Sequence, residues 1–275
     1  GADGIPMENG VPTACIPNPA TGQCVRPYHD TNDTNLGGPH PATDSVADID
    51  GGRMDGFIRR QQEGLRLSCN ATFALPGCRE WFALPDVLGY HDRREIPNYW
   101  RYADEFVLED RMFESVASWS LPSHLFMVSG WSARCSSRDP LSCVDAIQAP
   151  GQGVMTPEGT VGSPIYAWTD LTYLLHRSNV SWAYYLDEGT QPDCENDAMF
   201  CTPGAQRAGV PQIWNPLPWF VTVREDNELA NIQTLDNYFT AAREGRLPQV
   251  SWITPNGRDS EHPPAKVSAG QAYVT

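Results

Sequence analysis

From Phe57 to Thr254 the sequence switches repeatedly between two hydrophobic periods, and this switching constrains the fold more than any single motif. "FIRRQQEGLRL", "EIPNYWRYAD", "SLPSHLFMVS", "TDLTYLLHRSN" and "TLDNYFTAAREGRLP" carry apolar residues at helical spacing. Pro97 and Pro122 suit first helical turns, and Gly245 suits a helix end. "VSWAYYL" (residues 180–186) and "QVSWIT" (residues 249–254) are short β-branched and aromatic runs, which predicts strands. The apolar triplet Phe106–Leu108 predicts a third, buried strand ahead of Ser120. Helix and strand in alternation define an α/β layered domain with a mostly parallel sheet. Ligands of such sheets sit on the loops that follow the strands, and both Ser120 and His262 fall on such loops by this reading.

Residues 1–56 are of another kind. They are rich in Gly, Pro, Asn, Asp and Thr and poor in apolar clusters, which predicts a long irregular excursion within a single domain over 1–275. The eight cysteines fall in four local pairs, Cys15/Cys24, Cys69/Cys78, Cys135/Cys143 and Cys194/Cys201. None has C-x-x-C spacing, and each pair brackets a polar segment, as in "CIPNPATGQC" and "CSSRDPLSC". Sequence neighbours are therefore the expected partners, and four loops clipped in this way imply an oxidising compartment, secreted or periplasmic.

Charge and hydropathy exclude some classes of partner. The formal charge is −15 and Lys266 is the only lysine, which disfavours nucleic acid and anionic membranes. No apolar run approaches the roughly 20 residues of a membrane span. "GADGIPMENG" has neither the basic nor the apolar region of a signal peptide. "AKVSAGQAYVT" reads as a helix that stops without a cap, and no regular strand precedes residue 57, so both ends of the domain are expected to be incomplete.

Three residues are candidates for chemistry. Ser120 lies at the mouth of a helix, where unpaired N–H groups and the helix dipole favour a bound phosphate or an alkoxide. The same position suits an ordinary N-cap serine. Ser123, inside the helix, is the weaker candidate. His29 in "RPYHDTND" and His262 in "DSEHPP" have the chemistry to bind phosphoryl oxygens, move protons or ligate metal. H-E-x-x-H, G-x-S-x-G, P-loop and dinucleotide signatures are absent.

The segments "GADGIP", "GGRMDGFI", "EIPNYWRYADEFVLEDRMFESVASWSLPSHLFMVSGWSA", "VSWAYYLDEG" and "QVSWITPNGRDSEHPPAKVSAGQAYVT" resemble, in this order, the bacterial phosphoesterase family of non-haemolytic phospholipases C and related acid phosphatases. The resemblance implies an α/β/α sandwich similar to alkaline phosphatase. It also implies hydrolysis of phosphate esters, of a small molecule or a phospholipid headgroup, through a phospho-enzyme. The nucleophile of the family's T/S-x-P-N-R motif falls on Ser120, which would also ligate a divalent metal ion. Ser123 and His124 replace the motif's Asn and Arg, which bears on substrate preference. The family's active-site histidines fall on His29 and His262. Its "E-N-R-S-F-D" and "D-D-W-G-G" segments, which supply further metal ligands, do not occur in residues 1–275. They would lie before Gly1 and beyond Thr275, so the chain reads as a central fragment, inactive alone and completed by further polypeptide. Two alternatives from the residues themselves are a secreted binding module with disulfide-clipped loops, which the nine tryptophans permit, and a metal-free serine hydrolase pairing Ser120 with His262 and an acid.

Overall fold

A computed structural model describes residues 3–70, 85–151, 153, 162–194, 198–199 and 201–275; the side chains of residues 68–70 lie outside that description. The described residues form eight α-helices: α1 (Ala42–Ile49), α2 (Phe57–Asn70), α3 (Pro97–Glu105), α4 (Ser120–Ser129), α5 (Leu171–Arg177), α6 (Val221–Glu225), α7 (Leu235–Arg243) and α8 (Val267–Val274). The chain divides into two compact units. The first comprises Gly1–Phe113, Ala198–Cys201 and Arg258–Thr275; the second comprises Glu114–Asp197 and Thr202–Gly257.

The second unit is built on a three-stranded parallel sheet. Its central strand, Trp182–Leu186, is flanked by Ile232–Thr234 on one side and Val250–Thr254 on the other. All five residues of the central strand are buried, as the unbroken run WAYYL requires of a strand covered on both faces. Val250–Thr254 is an edge strand: Ser251 and Ile253 are exposed while Trp252 packs against the core. Around the sheet, Trp119, Leu121, Leu125 and Val128 of the α4 region join Tyr166, Trp168, Leu217 and Phe220 in one apolar cluster. Tyr184 is fully buried, yet its hydroxyl donates to the Trp214 carbonyl at 3.0 Å, which offsets the cost of burying it. Asp170 caps α5, accepting from the amides of Thr172 and Tyr173 and from the hydroxyls of Thr172 and Thr222.

The first unit has short strands and long connections. Tyr28–His29 pairs in parallel with Gly89–Tyr90, and Met7–Glu8/Val11–Pro12 and Ile16–Pro17/Cys24–Val25 are two-residue ladders. Side chains take over where strands do not reach. Asp86 accepts from the Leu36 amide at 2.6 Å, Gln62 donates to Asn18 at 2.9 Å, and Arg60 of α2 donates to Asp44 of α1 at 2.6 Å. Asp33 receives both the amide and the hydroxyl of Ser268, at 2.8 and 2.7 Å, at the start of α8.

Two local readings need correction. Phe106–Leu108 is not a strand: α3 ends at Glu105 and the three side chains are 73%, 79% and 50% exposed. The triplet sits between Glu105 and the charged run Glu109–Arg111, with no strand beside it among the described residues, so its β propensity has nothing to pair with. Ser120 therefore does not follow a strand. Residues 1–56 contain α1 beside their two-residue ladders. Val46 and Ile49 of that helix, three residues apart on one face, are exposed rather than buried in a core.

The disulfides Cys15–Cys24 and Cys135–Cys143 join the expected neighbours. The second clips an antiparallel hairpin, with Cys135 directly opposite Cys143. Cys194 and Cys201 are likewise disulfide-bonded. The Cys69/Cys78 pairing lies outside the described residues.

Candidate active site

Ser120 belongs to the second unit, and His29 and His262 to the first. Ser120 is the first residue of α4, and the N-cap is Trp119, with extended backbone and no side-chain cap. The serine hydroxyl is thus not consumed in capping. It donates instead to Oδ2 of Asp193, a carboxylate in a residue only 2% exposed. Asp193 Oδ1 accepts from the Cys194 amide at 2.6 Å, which fixes the carboxylate's second oxygen. Pro122, buried in the first turn, lacks the N–H that would have no helical partner there.

One turn further on, His124 lies on the same helical face as Ser120. Its ring packs 4.8 Å from that of Trp214, and its Nδ1 is buried without a hydrogen-bond partner. Burial drives its pKa down to about 4, against the opposing pull of the Asp193 carboxylate, so the imidazole is neutral at pH 7. Ser123 points elsewhere, its hydroxyl donating to Glu114 at 3.2 Å.

Asp193 follows the carboxyl end of the central strand, where the chain is held closely. Asn256, just past the edge strand, donates to Asp187 Oδ2 at 2.7 Å and to the Glu188 carbonyl at 3.3 Å. The Gly257 amide donates to the Thr190 carbonyl at 2.7 Å. Glycine at 257 permits this close approach: a Cβ there would meet the Thr190 hydroxyl at 2.9 Å and two backbone carbonyls at 3.3 Å.

In the first unit, His29 ends a short strand and its Nε2 donates to Glu95 Oε2 at 2.8 Å, with Asp92 Oδ2 at 3.7 Å. The imidazole holds the Glu95 carboxyl below its ordinary range, and Arg94 does the same for Asp92. These contacts fix the ring and assign Nε2 as the protonated nitrogen. His262 follows the edge strand, as expected. Its amide donates to the Ser260 hydroxyl at 3.1 Å, its Nδ1 donates to the Pro263 carbonyl at 2.9 Å, and its ring lies edge-on to His40 at 6.2 Å. Its neighbour Glu261 adopts a left-handed backbone (φ 61°) and accepts from the Tyr99 hydroxyl. Gly270 makes room for this turn, since a Cβ there would lie 2.1 Å from the Glu261 side chain.

Sequence reasoning passed over Asp193 and Glu95. Asp193 sits among other carboxylates in "LDEGTQPDCEND", and only its neighbour Cys194 hinted at a fixed position. Glu95 precedes the Pro97 helix start, where an acidic residue has an ordinary explanation in the helix dipole.

An α/β protein whose helix N-terminus presents a serine hydroxyl to a buried carboxylate belongs among scaffolds suited to nucleophilic or anion chemistry. Comparison with known proteins narrows this class. The chain belongs to the Phosphoesterase family, whose model matches residues 6–275. It is 27% identical over 207 residues to the hemolytic phospholipase C of Pseudomonas aeruginosa, covering 71% of this chain and 27% of that protein. It is 25% identical over 261 residues to the non-hemolytic phospholipase C of the same organism, covering 91% of this chain and 31% of that protein. Phospholipase C A of Mycobacterium tuberculosis is 25% identical over 191 residues, 68% of this chain and 32% of that protein. The chain thus spans about a third or less of the length of these relatives.

Proposed function

We propose that residues 1–275 are the central part of a phosphoric ester hydrolase in which Ser120 is the nucleophile. The observation that carries this reading is the Ser120 hydroxyl at the start of α4, turned away from capping and donated to buried Asp193. Family membership along nearly the whole chain, through both units, supports one phosphoesterase domain of the α/β/α sandwich type. The relatives are phospholipases C by name, which favours a phospholipid headgroup or a related small phosphate ester as substrate.

In this reading Ser120 Oγ attacks phosphorus in line and gives up its proton, for which Asp193 is the hydrogen-bonded acceptor. The N-terminal amides of α4 face the negative charge that develops on the phosphoryl oxygens. His29 and His262 fall on the family's active-site histidines and have the chemistry to bind phosphoryl oxygens and to protonate a departing ester oxygen. Glu95 occupies Nε2 of His29, so any proton His29 delivers leaves from Nδ1. Water then releases phosphate from the serine.

The donor set around Ser120 fits a divalent metal: two hard oxygens, from Ser120 and Asp193, and the buried, unpartnered Nδ1 of His124. Ser120 and Asp193 would hold the ion, which when bound lowers the hydroxyl's pKa and screens the phosphate. The remaining ligands come from polypeptide outside residues 1–275, consistent with the greater length of the relatives. The clipped cysteines support a secreted or periplasmic protein, and no helix among the described residues is long and apolar enough to cross a membrane.

Ser120→Ala in the active full-length enzyme tests the proposal. It should abolish the phosphorylated enzyme trapped by acid quench and lower kcat by about four orders of magnitude or more, with circular dichroism unchanged. Retained turnover with a phosphorylated residue elsewhere would assign the nucleophile to another side chain.

A further inference from the structure

We propose that His176, Asp226 and Glu228 form a second metal site, for a divalent transition-metal cation of which zinc is the best match, at the end of the sheet away from Asp193. His176 stands in the last turn of α5. Asp226 closes α6, and Glu228 follows the left-handed turn at Asn227 (φ 63°). One ligand atom from each side chain lies within 4.8 Å of the other two. His176 Nδ1 is 3.0 Å from Glu228 Oε1, and its Nε2 is 3.9 Å from Asp226 Oδ1.

Three further features point to a ligand rather than to a chance pairing. Asp226 Oδ2 is buried and has no hydrogen-bond partner, an uncompensated acceptor beside a second carboxylate. The backbone holds both acids in place: the Asp226 amide donates to Thr222 at 2.8 Å and the Glu228 amide to Val223 at 2.9 Å. The indole N–H of Trp182 donates to Glu228 Oε2 at 3.1 Å, leaving Oε1 turned toward the histidine. That arrangement is the outer-shell support expected of a ligating carboxylate.

The charge balance agrees. Two carboxylates beside one imidazole give the cluster a negative balance when the ring is neutral, which favours a bound cation. One imidazole and two carboxylates suit zinc, with water completing the shell, better than calcium, which takes oxygen ligands alone. The imidazole, 42% exposed, leaves a path for entry. Trp182 opens the central strand whereas Asp193 follows its carboxyl end. The four steps from Trp182 to Leu186, at about 3.3 Å each, place roughly 13 Å of strand between the two neighbourhoods. The site would brace α5, α6 and the strand start, and it stands independently of the proposed phosphoesterase chemistry.

The test is calorimetric titration of the chelator-treated full-length protein with zinc chloride, beside His176→Ala, Asp226→Asn, Glu228→Gln and Trp182→Phe. Wild type should bind one more zinc ion per chain than His176→Ala, and the same equivalent should vanish in Asp226→Asn. Trp182→Phe should keep it with affinity weakened about 10–100-fold. The conservative Glu228→Gln guards against misfolding, and its circular dichroism should match wild type while the zinc equivalent is lost. Asp193→Asn should leave the equivalent intact. Identical stoichiometry in wild type and His176→Ala overturns the proposal, as does a zinc equivalent lost only in Asp193→Asn.

Discussion

The two units of this chain are stabilised by different means. In the second, aromatic and aliphatic side chains from α4, the parallel strands and the Leu217–Phe220 turn form one cluster. In the first, the buried apolar side chains are Ile58, Leu65, Leu88 and Val267 among the described residues. Asn18, Asp30, Asp44, Gln61, Gln62, Asp259 and Gln271 are buried beside them. Apolar burial is additive and tolerant of geometry, whereas a buried polar group stabilises only while its partner is in place. The second unit should therefore lose stability in proportion to volume removed, and the first in proportion to partners removed.

The largest effect expected from breaking this contrast is in the apolar cluster. Phe220 is fully buried against Tyr166 and Trp168, with ring centroids 5.2 Å away in both cases. Phe220→Ala should cost about 3–5 kcal/mol in urea unfolding followed by tryptophan fluorescence. A loss below about 1 kcal/mol would show that the cluster is loosely packed.

Next come the two disulfides, whose loops are nearly equal, with sequence separations of 9 and 8. Loop-closure entropy gives each about 2–3 kcal/mol. The consequences should differ all the same. Cys15→Ser with Cys24→Ser should open the N-terminal region to proteolysis, because two-residue ladders and a few side-chain bonds, such as Gln62 to Asn18, are what else holds it. Cys135→Ser with Cys143→Ser should lower the midpoint of unfolding while the hairpin stays protected by the core that Cys135 joins. Equal proteolytic sensitivity in the two variants would remove the distinction.

The smallest effect sharpens the comparison through pH. Burial, and then the nearby Asp44 carboxylate, raise the Asp48 pKa to about 6 from an ordinary 3.8. A raised folded pKa means the fold favours the protonated acid. That contribution is complete below pH 3.8 and is lost as pH rises through about 6. Asp48→Asn should thus stabilise the first unit near pH 7, by about 1 kcal/mol after allowance for solvent screening, and change nothing below pH 4. Urea titrations at the two pH values check both halves of the statement.

Parts of this molecule were legible from sequence for a physical reason. Trp182–Leu186 was readable because a strand covered on both faces must be apolar throughout, Val250–Thr254 because β-branched and aromatic residues cluster in a short run, and α4 because its apolar residues recur at helical spacing above a proline in the first turn. Ile232–Thr234 is three residues long and has no such signature, and α1 presents Val46 and Ile49 to solvent. Phe106–Leu108 had the right residues and no neighbour, which sequence cannot report. The site divides in the same way. Ser120 was marked by its place at a helix start, and His29 and His262 by family resemblance. Asp193 and Glu95 acquire meaning only from contacts 73 and 66 residues away in the chain.

The register of the parallel sheet also bears on how the chain matures. Trp182 aligns with Val250, and Tyr184 with Ile232, so each partner of the central strand is made dozens of residues after it. Contacts so distant in sequence form late and slowly. Until Thr254 has been synthesised and released, WAYYL is an uncovered, uncharged, aggregation-prone strand. A chain of this design benefits from being kept unfolded until the last strand is available, which couples its folding to the completion of synthesis rather than to its progress.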